Sequence, residues 1–295
     1  MRYYNTKDWT NVLFKVTKAD VLNKLWWILI VLAIYAAGIA YLELEYWKLS
    51  DKSVIKNLPV MHSLLGFAIS LVLVFRTNTA YDRWWEGRKL WGGLVNNSRN
   101  LALKLSVVLR EDQQEERAFF RRIIPGYAQA LHQHLLKERT RVMLFDENEQ
   151  TQKIISAIDT EKHVPNQVAG LLYEHVKKLY REGSISGEVL LFLNSELQSF
   201  TEICGACERI KNTPIPSSYG VFIKRFVLIY LLTLPWGYVF QLGYWVVPVV
   251  VFITYVLASL ELIAEEIEDP FGGDENDLPT HKMAENIRKS VEEIL

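Results

Sequence analysis

Three long stretches of the chain contain no charged residue. They cover residues 25–42, 58–75 and 226–260, although 23% of all residues are charged. A helix needs about 18 or more apolar residues to cross the roughly 30 Å hydrocarbon core of a bilayer. Helices of soluble proteins average about 10–14 residues and rarely exclude charge over such a length. The pattern therefore predicts helices that span a membrane.

The third stretch is too long for one span, since a single helix of this length would extend about 50 Å. Four helix-disfavouring residues interrupt it: Pro235, Gly237, Gly243 and Pro248. Residues 241–245 have the composition of a tight turn with aromatic side chains at the membrane interface. The predicted spans are therefore about 24–43, 58–76, 222–241 and 245–264.

Between the second and third spans the pattern becomes that of amphipathic helices. Pro165 suits the first turn of a helix, Ser186 can begin the next one, and Pro214-Ile215-Pro216 should end it. No stretch alternates as a strand does. The predicted fold is an all-α integral membrane protein with four transmembrane helices continuous with a large cytosolic helical domain. The predicted segments are a cytosolic N-terminal segment (1–20), a first transmembrane hairpin (21–80), the cytosolic helical domain (81–217), a second transmembrane hairpin (218–264) and an acidic cytosolic tail (265–295).

The distribution of lysine and arginine predicts the orientation. Basic residues precede the first span, follow the second and lead into the third, whereas the turn between the third and fourth spans carries no charge. By the positive-inside rule, both termini and the central region should face the cytosol. The formal net charge of −1 gives no reason to expect a nucleic-acid partner.

Catalytic motifs are missing from the sequence. Cys204 and Cys207 have no second pair and no nearby histidine, so we interpret them as structural thiols. His132 and His134 are two residues apart and should point to different helix faces. Neither a phosphate loop nor a nucleophile elbow is present, and we predict that the protein is not an enzyme.

The second predicted span carries Phe67, Leu71 and Phe75 at intervals of four residues, which places them along one helix face. Such a stripe can pack against neighbouring helices, or it can line a hydrophobic constriction around a symmetry axis. Directly after it comes a dense set of charged and aromatic residues at the membrane boundary: Arg76, Asp82, Arg83, Trp84 and Trp85. Their side chains suit anchoring or pairing at the interface.

The run from Phe75 to Gly87, with its Asp-Arg-Trp-Trp core, resembles the signature of the bestrophin family of ion channels. Three further motifs occur in the family's order: His163-Val164-Pro165-Asn166, Glu202-Ile203-Cys204-Gly205 through Pro214-Ile215-Pro216, and Asp269-Pro270-Phe271-Gly272. The resemblance covers about residues 60–285 and is closest to the prokaryotic branch. It implies a homopentamer in a bacterial inner membrane, with an axial pore, a hydrophobic neck at Phe67, Leu71 and Phe75, and a cytosolic aperture at Ile215.

For function, the resemblance implies a channel for small monovalent ions that prefers cations, as in the prokaryotic branch. A chloride or anion channel, as in eukaryotic members, is the alternative. A secondary transporter and a non-conducting structural protein are the other possibilities, and the two hairpins lack the similarity that inverted repeats would give a transporter. Membrane lipid, small inorganic ions and further copies of the chain are the implied partners.

Eukaryotic members hold calcium in an acidic clasp after the last span. Asp274 and Asp277 fall on the matching positions here, Glu266 and Asp269 lie nearby, and the oxygen atoms of these four residues suit calcium. The family's run of consecutive aspartates is interrupted as Asp274-Glu275-Asn276-Asp277, which argues against calcium gating. The alternative is an acidic tail that packs on the neighbouring subunit. No other cofactor is expected.

Overall fold

The computed structural model describes residues 21–48, 57–136 and 158–295. These residues form helices and connecting turns, and none of them lies in a strand. The expectation of an all-α chain is confirmed for this part. The predicted N-terminal segment 1–20 lies outside the described residues.

The described residues form eight α-helices: α1 Val21–Tyr41, α2 Leu58–Val108, α3 Gln114–Leu135, α4 Val164–Arg181, α5 Gly187–Asn212, α6 Ser217–Leu242, α7 Val246–Glu268 and α8 Thr280–Ile294. A π-helical turn, Leu42–Tyr46, follows α1, and a 3₁₀ turn, Gly243–Trp245, joins α6 to α7. Pro165 lies in the first turn of α4 and Ser186 is the N-cap of α5, as the sequence predicts. The Pro-Ile-Pro turn separates α5 from α6.

Within the described part of the chain, three helical stretches are long and apolar enough to cross a membrane: Val21–Tyr46, Leu58–Val108 and Ser217–Glu268. The last of these comprises α6 and α7, which contain 26 and 23 residues. The chain turns between them at Gly243, whose φ of +54° favours glycine. Each of the two helices exceeds the roughly 20 residues that one crossing needs.

Helix α2 is continuous over 51 residues and contains both the second predicted span and the amphipathic stretch that follows it. Its only proline, Pro59, lies in the first turn, where a missing N–H is tolerated. At 1.5 Å per residue the helix is about 75 Å long. The apolar and the amphipathic segments are therefore parts of one helix.

The chain divides into two compact units. The first contains the described chain up to Arg83 together with Pro214–Asp269, and the second contains Trp84–Thr213 together with Pro270–Leu295. We refer to them as the apolar unit and the mixed unit. The chain passes from one unit to the other three times, at residues 83/84 within α2, at 213/214 and at 269/270.

The apolar unit packs through small residues and leaves most of its apolar surface uncovered. Ala36 and Ala40 of α1 are fully buried, as expected where helices approach closely in lipid. At Gly237 a Cβ atom would lie 2.8 Å from Cβ of Leu58 and 2.9 Å from Cδ of Pro59. Only 17% of the apolar window of α2 is buried in the chain, so this surface is left for lipid or for further subunits.

The mixed unit has the core of a water-soluble domain. Trp91, Tyr127 and Phe200 are completely buried, and the Tyr127 hydroxyl donates to the carbonyl oxygen of Phe200 at 2.6 Å. Helix α8, which the sequence pattern indicates only as part of an acidic tail, packs on α3. Its apolar face is buried in this core through Met283, Ala284, Ile287 and Val291.

Candidate functional site

The stripe on α2 lies on the exposed face of the helix. Phe67, Leu71 and Phe75 are 72%, 47% and 58% exposed. On the opposite face, Ile69 and Leu73 are each 2% exposed and belong to the core of the apolar unit. The helix therefore packs within the chain through one face and leaves the stripe uncovered. Exposed large aromatic side chains in such a row are unusual unless another surface or lipid covers them.

Asp82 is on the same face of α2 as Phe75. It follows Phe75 by seven residues, or about two helical turns, and its side chain is exposed. The exposed face of α2 therefore carries an acidic side chain two turns beyond the apolar stripe.

Arg76, the residue that follows the stripe, is buried in the apolar unit with only 4% of its surface exposed. Its Nη2 atom lies 2.7 Å from Oε2 of Glu268, and its Nε atom lies 3.7 Å from Oε1 of Glu261. A buried guanidinium is stable only with such partners, because desolvation of an unpaired charge costs several kcal/mol. Arg76 thus links the C-terminal end of the stripe to α7.

Glu268 also holds the Pro-Ile-Pro turn. Its Oε1 atom accepts a hydrogen bond from the backbone N–H of Ile215 at 2.8 Å, and its own carbonyl oxygen accepts one from Nε of Arg83 at 2.9 Å. The sequence motifs pointed to other acidic residues of this region, and Glu268 was missed. Its position as the last residue of α7, directly before the Asp-Pro-Phe-Gly motif, is the signal that could have found it.

Two further signature residues pack in the mixed unit. Nε1–H of Trp84 donates to the carbonyl oxygen of Asn276 at 3.1 Å. A Cβ atom on Gly87 would lie 3.0 Å from Cζ of Phe271 and 3.2 Å from Cγ of Pro270, so glycine permits this close packing. Trp85 remains 47% exposed. The signature run therefore contacts the segment after α7 that carries the Asp-Pro-Phe-Gly motif.

The four residues predicted to bind calcium each have different contacts within the chain. Oε1 of Glu266 lies 2.6 Å from Nζ of Lys24. Oδ2 of Asp277 accepts a hydrogen bond from the backbone N–H of Asp274 at 2.6 Å, and Asp277 is 4% exposed. Asp269 is the C-cap of α7. One oxygen atom each of Glu266 and Asp277 is thus already engaged by a partner in the chain. The calcium site stays a prediction.

Among the described residues, one group brings three potential metal-binding side chains together: His134, His163 and Glu208. The two Nε2 atoms each lie 2.7 Å from the same Oε1 atom of Glu208. Nδ1 of His163 accepts the backbone N–H of Asn166 at the start of α4, so its Nε2 atom carries the proton donated to Glu208. In this arrangement the three side chains form a hydrogen-bonded cluster.

The histidine cluster has a clear electrostatic effect. Burial alone would raise the pKa of Glu208, but the hydrogen bonds from His163 and His134 outweigh it and lower the pKa below the ordinary glutamate range. Sequence patterns did not indicate this cluster, because its members lie far apart along the chain and come from three helical segments. The cluster ties α3 and the start of α4 to α5.

Cys204 and Cys207 are free and buried in the core of the mixed unit. Burial raises the pKa of Cys204 to about 12, and the nearby Glu208 carboxylate adds to this shift. Burial raises the pKa of Cys207 as well. A thiol that stays protonated at neutral pH is a poor nucleophile and a poor metal ligand, which agrees with the interpretation of structural thiols.

The fold and the site together define a class: a helical membrane protein that leaves an apolar stripe uncovered beside a buried ion-pair network. A family model described as bacterial and fungal bestrophin protein matches residues 1–293. The chain therefore belongs to the bestrophin family, in its bacterial and fungal branch. This membership points to an ion channel and not to an enzyme.

Relatives and solved structures agree with the family. The chain is 33% identical to a voltage-dependent anion channel-forming protein of Nostoc sp. over 251 residues, which cover 81% of this chain and 80% of that protein. It is 33% identical to a protein of the same description from Mesorhizobium japonicum over 271 residues, which cover 89% and 82%. A crystal structure of a bacterial bestrophin homolog from Klebsiella pneumoniae has a TM-score of 0.80 at 26% identity and covers 92% of this chain and 98% of its own.

Proposed function

We propose that several copies of this chain, five by the family resemblance, assemble into an ion channel around an axis lined by α2. The observation that carries the proposal is the uncovered stripe of Phe67, Leu71 and Phe75 in a member of the bestrophin family. The stripe forms the neck of the pore, and Ile215 forms a second constriction on the cytosolic side. Four spans are formed by α1, the first part of α2, α6 and α7.

The neck controls flow because it offers an ion no polar partner. An apolar constriction a few ångströms wide loses its water readily, and an ion cannot cross a dewetted segment without losing its hydration shell. Three side chains on successive turns repeat this barrier over about 12 Å at 1.5 Å per residue. Smaller side chains keep the segment wet and lower the barrier.

The channel passes small anions. The support is the description of the relatives in Nostoc and Mesorhizobium as proteins that form anion channels. This choice differs from the cation preference that the resemblance to the prokaryotic branch implies, because the names of these relatives favour anions. The apolar neck itself carries no charge with which to select the sign of an ion.

Cation selectivity is the second candidate, and Asp82 is the observation that favours it. A carboxylate repeated in every subunit next to the neck raises the local concentration of cations, since rings of acidic side chains act this way in cation channels. In that case Asp82→Asn should move the reversal potential toward the value expected for anions, whereas an anion channel should retain its sign.

The channel resides in the bacterial inner membrane with both termini in the cytosol. The support is the excess of lysine and arginine beside the predicted spans and the uncharged turn at Gly243–Trp245. The mixed unit, with its water-soluble core, is then the cytosolic part of the conduit.

The test is electrical recording from purified protein in planar bilayers. Single-channel steps with a reversal potential near the chloride equilibrium potential in asymmetric NaCl are expected. Leu71→Ala and Phe67→Ala should raise the single-channel conductance. Ile34→Ala is the matched control, because Ile34 is an equally uncovered apolar residue (68% exposed) on α1 and should leave conductance unchanged. The absence of steps, or neck variants that behave like the control, would refute the channel or its neck.

Native mass spectrometry of the detergent-solubilised protein tests the assembly. Five subunits are expected. Any other number would change the pore geometry, because the width of the neck depends on how many copies of α2 surround the axis.

A further inference from the structure

Glu268 contacts both regions to which the proposed pore assigns control of flow. One carboxylate oxygen pairs with Arg76, the residue next to Phe75, and the other accepts from the backbone of Ile215. The Glu268 side chain is only 16% exposed, and that of Arg76 is 4% exposed. All of these residues belong to the apolar unit.

The turn around Ile215 offers a single backbone donor. Pro214 and Pro216 have no N–H group, so only Ile215 can donate from this three-residue segment. That N–H binds Oε1 of Glu268 at 2.8 Å, and a hydrogen bond to an ionised acceptor is roughly twice as strong as a neutral one. Proline after Ile215 also restricts the Ile215 backbone to extended conformations. One carboxylate therefore determines where an already stiff turn is held.

We propose that Glu268 is a positioning residue that fixes the cytosolic aperture by holding the N–H of Ile215 while Arg76 fixes the carboxylate. This inference rests on the proposed function, since it assigns a role to Glu268 within that pore. Arg76 orients the Glu268 side chain through its ion pair at 2.7 Å, and the carbonyl oxygen of Glu268 accepts a hydrogen bond from Arg83. The inner end of the neck and the aperture turn are thus connected through one side chain.

The consequence is a defined aperture width. Loss of the hydrogen bond between Glu268 and Ile215 should lower the population of the observed turn conformation by roughly tenfold or more. A change of this size corresponds to the net strength of a hydrogen bond to a charged group. The Ile215 side chains then no longer keep one distance from the axis, and ions larger than the preferred one pass more easily.

The experiment measures permeability ratios of a small and a larger ion in planar bilayers, with chloride and isethionate on opposite sides of the membrane. If the wild type conducts cations, sodium and tetraethylammonium take their place. Ile215→Ala should raise the relative permeability of the larger ion, and Glu268→Ala should do the same. The double variant should resemble either single variant, because both changes act on one constriction.

Glu265→Ala is the matched control. Glu265 lies one turn earlier on α7 and pairs with Lys224 at 2.9 Å, so its removal deletes the same charge without touching the aperture turn. Its permeability ratio should equal that of the wild type. Where Glu268→Ala fails to assemble, Glu268→Gln replaces it, since the amide keeps the shape but loses the charge that faces Arg76; a smaller shift in the same direction is expected.

The outcomes separate the two proposals. A wild type without currents, or an Ile215→Ala channel with an unchanged ratio, refutes the pore or its aperture and this inference with it. If Ile215→Ala shifts the ratio but Glu268→Ala and Glu268→Gln do not, only the role of Glu268 is wrong. A shift of the same size in Glu265→Ala would also refute it, because the effect would then come from charge alone.

Discussion

Large apolar side chains have opposite environments in the two units of this chain. In the mixed unit, Tyr127 and Phe200 are fully buried and their rings contact edge to face at a centroid distance of 4.8 Å. In the apolar unit, Phe67 and Phe75 are more than half exposed. The first arrangement is what the hydrophobic effect produces in water. In lipid that effect does not favour contact between helices, so apolar side chains can stay uncovered until another subunit or lipid meets them.

The difference matters for function. A buried aromatic residue stabilises one chain, whereas an uncovered one contributes only through what it meets outside the chain. Substitutions of buried aromatic residues should therefore change the stability of the chain, whereas substitutions of the uncovered ones should change conductance.

The largest expected effect is on the stability of the mixed unit. Phe200→Ala removes a fully buried ring and leaves a cavity, which should cost about 3–5 kcal/mol of the free energy of unfolding. Phe67→Ala is the matched change at an exposed site and should cost about 1 kcal/mol or less. Denaturation of both variants in the same detergent, followed by circular dichroism, measures the two losses. Equal losses would mean that Phe67 is packed as tightly as Phe200.

A smaller effect is expected at two helical glycines. Gly237→Ala in α6 places a Cβ atom 2.8 Å from Cβ of Leu58, so the helices must move apart, at a cost of about 1–3 kcal/mol. A Cβ atom on Gly170 in α4 would meet no neighbouring atom of the described chain within 4 Å, and Gly170→Ala should stabilise the protein by about 0.5–1 kcal/mol. Melting temperatures should shift in opposite directions. A shift in the same direction would show that packing does not distinguish the two sites.

Much of this architecture could be predicted from periodicity and composition. The uncharged stretches indicate the spanning helices, and Pro165, Ser186 and the Pro-Ile-Pro turn mark helix ends, because these residues act through local backbone geometry. The exposure of Phe67, Leu71 and Phe75 could not be predicted, since their spacing suits packing and pore lining equally well. Helix α8 was missed because the acidic residues between 265 and 277, which precede it, dominate the composition of the tail.

The contacts of Glu268 and Glu208 depend on tertiary structure. Glu268 and Ile215 are 53 residues apart, and Glu208 meets histidines 74 and 45 residues away. Contacts between residues so far apart along the chain leave no local sequence pattern from which they could be predicted. The family resemblance indicated acidic residues on both sides of Glu268 as calcium ligands, and it gave no indication of the contact between Glu268 and Ile215.

The smallest expected effect concerns the electrostatics of the mixed unit. Glu208→Gln keeps an acceptor oxygen for His134 and His163 but removes the charge, which should cost about 1 kcal/mol at neutral pH. Glu202→Gln is the control, because Glu202 is exposed and accepts a hydrogen bond from Gln198, one turn away on the same helix. Thermal unfolding of the wild type, Glu208→Gln and Glu202→Gln in one detergent measures the differences in stability.

The pH dependence of this difference follows from the lowered pKa of Glu208. A carboxyl whose pKa is lower in the folded state stabilises the protein above its ordinary pKa, and this stabilisation is lost as the pH falls through the folded value. The difference in stability between wild type and Glu208→Gln should therefore be largest at neutral pH, and it should disappear below the ordinary pKa range of glutamate. A gap that widens in acid would mean that Glu208 is held in its protonated form, and the cluster would then stabilise the mixed unit by a neutral hydrogen bond.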